Sequence, residues 1–272
     1  MSKIEQILEK ATALRDGGRI VEMPHGKPLQ VMDYSAFEVE SKVPVANPYL
    51  VTVTDPGSPV TEEYRKLKSV VVKLTKGDVF HNTLMVTSTL GGEGKSITAL
   101  NLAVVLAQEY DHTVLFIDAD LRRSSAGKYL GVRAEPGLTD CLTNGANFDK
   151  ALVKTGIGKL SILPAGGKVS NPVEVLSSAR MKEFLKEVKH RYPDRYVIID
   201  TPPVLFFAEA HAIASVVDGV IFVVREGHVP IHNLKESLNM LKDANILGVV
   251  YNDAEVNRDN GYHYYYNHTP YK

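Results

Sequence analysis

The segment TSTLGGEGKS (residues 87–96) places three glycines directly before a lysine and a serine. Glycines let successive backbone N–H groups turn inward and cradle phosphate oxygens, while a lysine can reach the β- and γ-phosphates and a serine hydroxyl can bind Mg²⁺. An apolar run precedes the segment and a helical pattern follows it, so the positive end of a helix adds to the attraction. The spacing therefore predicts a phosphate-binding loop, although Thr89 stands where the strict pattern has its first glycine.

Two further segments carry carboxylates at the ends of apolar runs. In VLFIDADLRR, Asp118 ends the run and Asp120 and Arg122 follow; in YVIIDTPPV, Asp200 ends the run. In parallel sheets, ligands bind at the carboxyl ends of the strands. Acidic side chains at that edge can hold Mg²⁺ through water and accept a proton from an attacking hydroxyl. Turn formation and solvation of a strand end are the alternative roles for these residues.

The elements that must position these residues alternate along the chain. The predicted strands are TLMVTST, TVLFID, LSILPAG, YVIID, GVIFVV and LGVVYN, and the predicted helices include SPVTEEYRKLKSVVVKL, SITALNLAVVLAQ and PVEVLSSARMKEFLKEVKH. In the first helix Thr61 is a candidate cap, and Tyr64, Leu67, Val71 and Leu74 share one face. Short apolar strands that alternate with helices predict an α/β fold with a mostly parallel central sheet and helices on both faces.

The two ends of the chain differ from this core. We predict an N-terminal amphipathic helix in residues 1–19, which could pack on the core or dock on a partner, and a linker in 20–58 that is interrupted by prolines. The predicted core spans 59–252, and a flexible tyrosine-rich tail spans 253–272. The tail ends GYHYYYNHTPYK and carries five of the 13 tyrosines of the chain: Tyr262, Tyr264, Tyr265, Tyr266 and Tyr271. These tyrosines are either an adhesive surface or substrates.

Composition excludes several classes of protein. The net charge of −1 gives no electrostatic case for binding nucleic acid, and the single cysteine, Cys141, rules out a disulfide framework. The charged N-terminus has no signal-peptide core, and the longest apolar runs are too short to span a membrane. We therefore expect a soluble, cytoplasmic protein.

Together, the three segments TSTLGGEGKS, LFIDADLR and VIIDTPP resemble the Walker A, Asp-x-Asp-x-Arg and Walker B motifs of the bacterial tyrosine kinase family of P-loop proteins. That family also ends in a tyrosine cluster, and the resemblance covers about residues 59–272. The N-terminal MSKIEQILEKATALR resembles the subgroup linked to exosortase-associated exopolysaccharide systems. The resemblance implies an ATP- and Mg²⁺-dependent autokinase that phosphorylates its own tail and regulates exopolysaccharide polymerisation or export.

The resemblance also implies roles for individual residues. The residues expected to bind the nucleotide are Gly91, Gly92, Glu93, Gly94, Lys95, Ser96 and Ile97, together with Asn252, which could equally be a turn former. Ser96, Asp120 and Asp200 would arrange Mg²⁺, and Arg122 would stabilise phosphate charge. Asp118 would accept the proton of the attacking tyrosine, although the roles of Asp118 and Asp120 could be exchanged.

The family associates with itself through an E-x-x-R-x-x-R motif, which here reads Glu62, Arg65 and Lys68; the last position lacks the planar guanidinium. A homo-oligomer that could form a ring is thus expected, as is a separate membrane protein that sets polysaccharide chain length, activates the kinase and recruits it to the inner membrane face. Two other functions stay open. A partition- or septum-type ATPase would need a second lysine where Leu90 stands, and a nucleotide-dependent scaffold would use its tail only for binding.

Overall fold

A computed structural model describes residues 47–77, 79–192 and 194–255 of the chain. Its centre is a seven-stranded sheet in the order β3-β4-β2-β5-β1-β6-β7, and within the described chain only β3 runs antiparallel to its neighbour. The strands are β1 (Thr83–Ser88), β2 (Thr113–Asp118), β3 (Val153–Lys154), β4 (Leu160–Leu163), β5 (Arg195–Asp200), β6 (Gly219–Arg225) and β7 (Ile246–Asn252). The predicted α/β class and mostly parallel sheet are confirmed; β3, with two residues, is too short to leave a period in the sequence.

Helices connect the strands and cover the sheet. They are α1 (Val51–Thr54), α2 (Pro59–Thr75), α3 (Lys95–Ala107), α4 (Ala126–Leu130), α5 (Leu138–Thr143), α6 (Phe148–Ala151), α7 (Pro172–Ser177), α8 (Ala179–Arg191), α9 (Ala208–Ala214) and α10 (Ile231–Met240). None of the helices in the described ranges is long and apolar enough to cross a bilayer. The predicted N-terminal helix and the tail tyrosines lie outside the described residues.

Strand side chains alternate between two hydrophobic clusters, one on each face of the sheet. In β2, Val114 and Phe116 join the cluster that contains α3, whereas Leu115 and Ile117 join the cluster on the opposite face. The buried strands therefore read as continuous apolar runs, because both of their faces are covered. By the same alternation Asp118, which ends β2, lies on the α3 face.

Helix α3 is the most deeply buried helix of the fold. Every residue from Thr98 to Ala107 is buried, because the sheet covers one side of the helix and α1 and α2 pack on the other. Asn101 is the polar centre of this packing. Its side-chain oxygen accepts from the Thr52 N–H (3.1 Å) and hydroxyl (2.8 Å), and its amide donates to the Tyr49 carbonyl (2.9 Å).

Residues 50–53, which the sequence assigned to the linker, thus pack against the core, whereas residues 54–57 are exposed. Leu50 is fully buried and α1 follows it directly. The predicted boundary between linker and core, at residue 58, therefore has folded chain before it as well as after it.

Two details of the predicted helices are wrong. Helix α2 is capped by Ser58, whose hydroxyl accepts from the Thr61 N–H at 3.2 Å, so Thr61 is inside the helix and is not the cap. Leu74 is 48% exposed, because it lies at the edge of the apolar arc formed by Tyr64, Leu67 and Val71.

The predicted long helix PVEVLSSARMKEFLKEVKH is two helices. Ser178 has an extended backbone between α7 and α8, and its hydroxyl accepts from the Met181 N–H at 3.1 Å while donating to the Val175 carbonyl at 2.8 Å. Serine competes with the helical hydrogen bonds in this way, so it ends one helix and caps the next.

We predict that Asn101→Ala lowers the free energy of unfolding by about 2–4 kcal/mol, because it leaves the buried Thr52 N–H and the Tyr49 carbonyl without partners. Chemical denaturation measures this loss. Asn239→Ala, an exposed asparagine within α10, is the matched control and should change stability by less than about 0.5 kcal/mol. Equal effects of the two substitutions would contradict the role given to Asn101.

Candidate active site

The glycine-rich loop joins β1 to α3 and takes a shape that requires two of its glycines. Gly92 and Gly94 have φ values of 87° and 90°, in the left-handed region that side chains disfavour. A Cβ atom on Gly94 would lie 2.2 Å from the Asn252 side-chain amide nitrogen. The loop can therefore keep this path only with glycine at position 94.

Glu93 and Asn252 hold the loop from within. The Glu93 side chain is fully buried, and its carboxylate accepts from the Leu90 N–H (2.6 Å) and the Arg225 N–H (3.4 Å). The Asn252 amide, at the end of β7, donates to the Glu93 carbonyl at 2.8 Å. Adenine contact by Asn252 stays a prediction, and the described role of its side chain is to tie β7 to the loop.

Three carboxylates meet one lysine at the carboxyl edge of the sheet. Lys95 Nζ lies 2.7 Å from Asp120 Oδ2 and 3.6 Å from Asp200 Oδ1, and it donates to the Ser96 hydroxyl at 3.1 Å. Burial lowers the pKa of Lys95, but the charges of Asp200 and Asp120 outweigh it and raise that pKa overall. The lysine is therefore charged and balances part of the acidic cluster.

Asp118 and Asp200 are direct neighbours across the parallel pair β2–β5. Burial, with the charge of Asp200 as second cause, raises the pKa of Asp118 to about 7, against an ordinary value of 3.8. Hydrogen bonds from the Ser124 hydroxyl (2.9 Å) and the Ala126 N–H (3.1 Å) hold its carboxylate. A carboxyl group with such a pKa can both accept and release a proton near neutral pH.

Asp200 has buried oxygens that fit a cation. Burial raises the pKa of Asp200, against the lowering effect of the nearby Lys95 and Ser96 side chains, and neither of its oxygens forms a hydrogen bond with the described residues. The described residues contain no group of three or more histidine, cysteine, aspartate or glutamate side chains arranged to hold a metal by themselves. Mg²⁺ commonly combines one or two carboxylates with substrate phosphates, and Ser96, Asp120 and Asp200 fit that kind of site.

Lys95, Ser96 and Asp120 line a cavity of about 600 Å³, whereas Asp118 and Asp200 are fully buried and do not line it. Residues from the predicted site that line it are Gly91, Gly92, Gly94, Lys95, Ser96, Ile97, Asp120 and Arg122. Arg122 is held by Glu209 at 2.7 Å and stacks over the Phe207 ring at 4.7 Å, so its predicted action on phosphate would compete with an existing ion pair.

Other lining residues were missed by the sequence reasoning. They are Tyr49, Arg123, Ser125, Tyr129, Pro203, Phe206 and Phe207. Arg123 directly follows the Asp-x-Asp-x-Arg motif, and that adjacency was the available signal. No local sequence pattern marks Tyr49, because its place at the cavity depends on tertiary contacts such as the hydrogen bond from Asn101 to its carbonyl.

The predicted self-association residues lie on α2, away from this cavity. Glu62 pairs with Arg65 at 3.0 Å, one helical turn apart; both are half-buried, and Arg65 also donates to the Pro56 carbonyl at 2.9 Å. Lys68 pairs with Glu109 at 2.6 Å, which directs it toward the end of α3. The three residues therefore present one half-buried ion pair, and both of their cations already have partners within the chain.

We predict that the stability of the nucleotide-free protein falls as pH rises through the pKa of Asp118. The folded state holds this proton more tightly than the unfolded chain, so the stabilisation is complete below about pH 4 and lost above about pH 7. Between pH 5 and 8, the free energy of unfolding should fall by up to about 3 kcal/mol more in the wild type than in Asp118→Asn. Chemical denaturation at both pH values measures this difference.

The exposed Asp243→Asn serves as the control and should follow the wild type at both pH values. An Asp118→Asn variant whose stability has the same pH dependence as the wild type would show that burial does not hold a proton on Asp118.

Comparison with known proteins shows which family and which solved folds the chain is similar to. A model of the AAA domain family matches residues 81–246. The tyrosine-protein kinase YwqD of Bacillus subtilis is 34% identical over 219 residues, which cover 79% of this chain and 90% of that protein. The solved kinase domain of Escherichia coli tyrosine kinase ETK superposes with a TM-score of 0.69 at 30% identity, over 78% of this chain and 84% of that one. For the chimerical protein CapA2B2 the TM-score is 0.71 at 28% identity, over 76% and 91% of the two chains.

Proposed function

This chain belongs to the bacterial tyrosine-protein kinase family, and from that membership we propose that it transfers the γ-phosphoryl group of ATP to tyrosines of its own tail. The acceptors would be one or more of the tail tyrosines predicted from the sequence, and the phosphorylation would regulate exopolysaccharide polymerisation or export. The observation that carries the proposal is the contact of Lys95 with Asp120 and Asp200, next to Asp118, beside a loop shaped for phosphate.

The geometry supports a direct transfer. The phenolic oxygen of the acceptor attacks the γ-phosphorus, the bond from that phosphorus to the bridging oxygen breaks, and ADP leaves with the electron pair. The proton of the phenol passes to Asp118, whose pKa of about 7 suits a base near neutral pH, or to Asp120. Lys95 and the N–H groups of the loop would hold the phosphates and offset the charge that develops on them.

Mg²⁺, held by Ser96, Asp120 and Asp200, would neutralise phosphate charge when bound. For Lys95 this means an exchange of partners. In the described structure it is paired with Asp120, so it has to turn from that carboxylate toward the phosphates when a nucleotide enters. Mg²⁺ held by these residues would balance the acidic cluster, so that the charge of Lys95 would be available to the substrate.

The position of β7 favours the tail as an acceptor. Asn252 ends this strand and touches the loop through Glu93, so the chain leaves the sheet at the edge that carries the acidic cluster. Residues 256–272 lie outside the described residues, and an extended chain of that length can reach about 60 Å. Its own site is within that distance, and the acceptor site could equally be that of a second copy.

We predict that incubation of the full chain with Mg-ATP places phosphate on tyrosines between 262 and 271, and that Lys95→Met lowers this phosphorylation by at least about 100-fold. Quantitative phosphosite mapping by mass spectrometry measures both. Thermal unfolding of Lys95→Met checks that the loss is chemical, since a folded but inactive protein is expected.

If the chain binds ATP but its tail is not phosphorylated, even when the separate membrane activator is added, the proposal is contradicted. It would favour the alternative of a nucleotide-dependent scaffold, whose tyrosines only bind. ATP hydrolysis without tyrosine phosphorylation would favour the partition-type ATPase instead.

We further propose a homo-oligomer assembled through Glu62, Arg65 and Lys68, and a separate membrane protein that recruits the cytoplasmic chain to the inner membrane face and activates it. Light scattering after size exclusion should show Arg65→Ala as a smaller species than the wild type at unchanged thermal stability, because a surface ion pair contributes only about 0–1 kcal/mol. The exposed Lys73→Ala on the same helix is the control. A wild type that is monomeric with and without the partner's cytoplasmic segment would contradict this assembly.

A further inference from the structure

Tyr49 lies at the wall of the cavity that Lys95 and Asp120 also line. It is 64% exposed, and its hydroxyl makes no hydrogen bond with the described residues. A phenol in this position has the chemical group that the proposed reaction consumes, and it belongs to the same chain as the site.

The backbone of Tyr49 is fixed although its ring is exposed. Its N–H donates to the Asn47 side chain at 3.0 Å, and its carbonyl accepts from Asn101 at 2.9 Å. The next residue, Leu50, is fully buried. Asn101 lies one turn after Ile97 on the helix that begins at Lys95, so Tyr49 is anchored to the same helix that carries the catalytic lysine.

Other tyrosines in the described chain lack this combination of exposure and position. Tyr129 lines the cavity, but its ring packs against the hydrophobic cluster around α3 and is partly buried. Tyr110 is more exposed, at 95%, but it follows the far end of α3. A helix of that length separates its two ends by about 20 Å, so Tyr110 lies well away from the cavity.

We propose that Tyr49 is a phospho-acceptor of its own chain's active site, in addition to the tail; the inference rests on the proposed kinase function. The phenolic oxygen of Tyr49 attacks the γ-phosphorus of ATP, the bond from that phosphorus to the bridging oxygen breaks, ADP leaves with the electron pair, and the phenolic proton passes to solvent. Because Asn101 of α3 holds the backbone of Tyr49, the acceptor and the site belong to the same chain, and the transfer is intramolecular.

The walls of the cavity can also accommodate the product. A phosphotyrosine carries a charge of about −1.5 to −2. Arg123 lines the cavity, is exposed, and makes no ion pair with the described residues. Its guanidinium is therefore available to bind the phosphate that Tyr49 acquires.

The experiment incubates the full chain with Mg-ATP at protein concentrations that differ tenfold and follows Tyr49, Tyr110 and the tail by quantitative mass spectrometry. We expect phosphate on Tyr49 with a rate constant that is independent of protein concentration, and at least about tenfold less on Tyr110. Tyr49→Phe should remove this phosphate alone from the described chain. In a mixture with wild type, the Tyr49 of Lys95→Met chains should stay unmodified.

Three outcomes would overturn the inference. If the tail is phosphorylated and Tyr49 is not, the inference about Tyr49 is wrong, while the proposed function still stands. Equal phosphate on Tyr49 and Tyr110, or a Tyr49 rate that rises with protein concentration, shows that the position of Tyr49 in its own cavity does not select it. No phosphate on any tyrosine refutes the proposed autokinase activity together with this inference.

Discussion

Three buried aspartates surround one lysine at the carboxyl edge of the sheet, and the cost of keeping these charges away from water shapes the rest of the site. Lys95 offsets part of the negative charge, through Asp120 at 2.7 Å and Asp200 at 3.6 Å. The negative charge that Lys95 does not offset, together with burial, raises the pKa values of Asp118 and Asp200. Such a cluster is stable when a proton or a cation completes its charge balance, and this requirement links nucleotide binding to the protonation of the site.

The parallel sheet is what brings these charges together. Asp118 and Asp200 end adjacent strands in direct register, and the strand that ends in the glycine loop lies next to Asp200. Because side chains alternate along a strand, both carboxylates face α3. Burial is the first cause of both raised pKa values, and the charge of Asp200 acts on Asp118 because the sheet pairs two strands that are far apart in the sequence.

The phosphate-binding loop is held from two sides by asparagines. Asn252 ties the loop to β7, and Asn101 ties the opposite side of α3 to residues 49–52. Each side chain satisfies buried backbone groups that would otherwise be costly to leave unpaired. The loop, the end of β7 and the segment around Tyr49 are therefore connected around α3 by these hydrogen bonds.

The sequence alone determined the class of the fold, the loop and the strand ends that carry Asp118 and Asp200, because those depend on local periodicity and on residues that are adjacent in the chain. Local signals did not reveal the break at Ser178, the cap at Ser58 or the place of Tyr49. Only the tertiary structure decided which groups share the cavity, which arginine is engaged by Glu209, and how far burial shifts each carboxyl group. These properties depend on distances between segments far apart in the chain, and a one-dimensional pattern contains no distances.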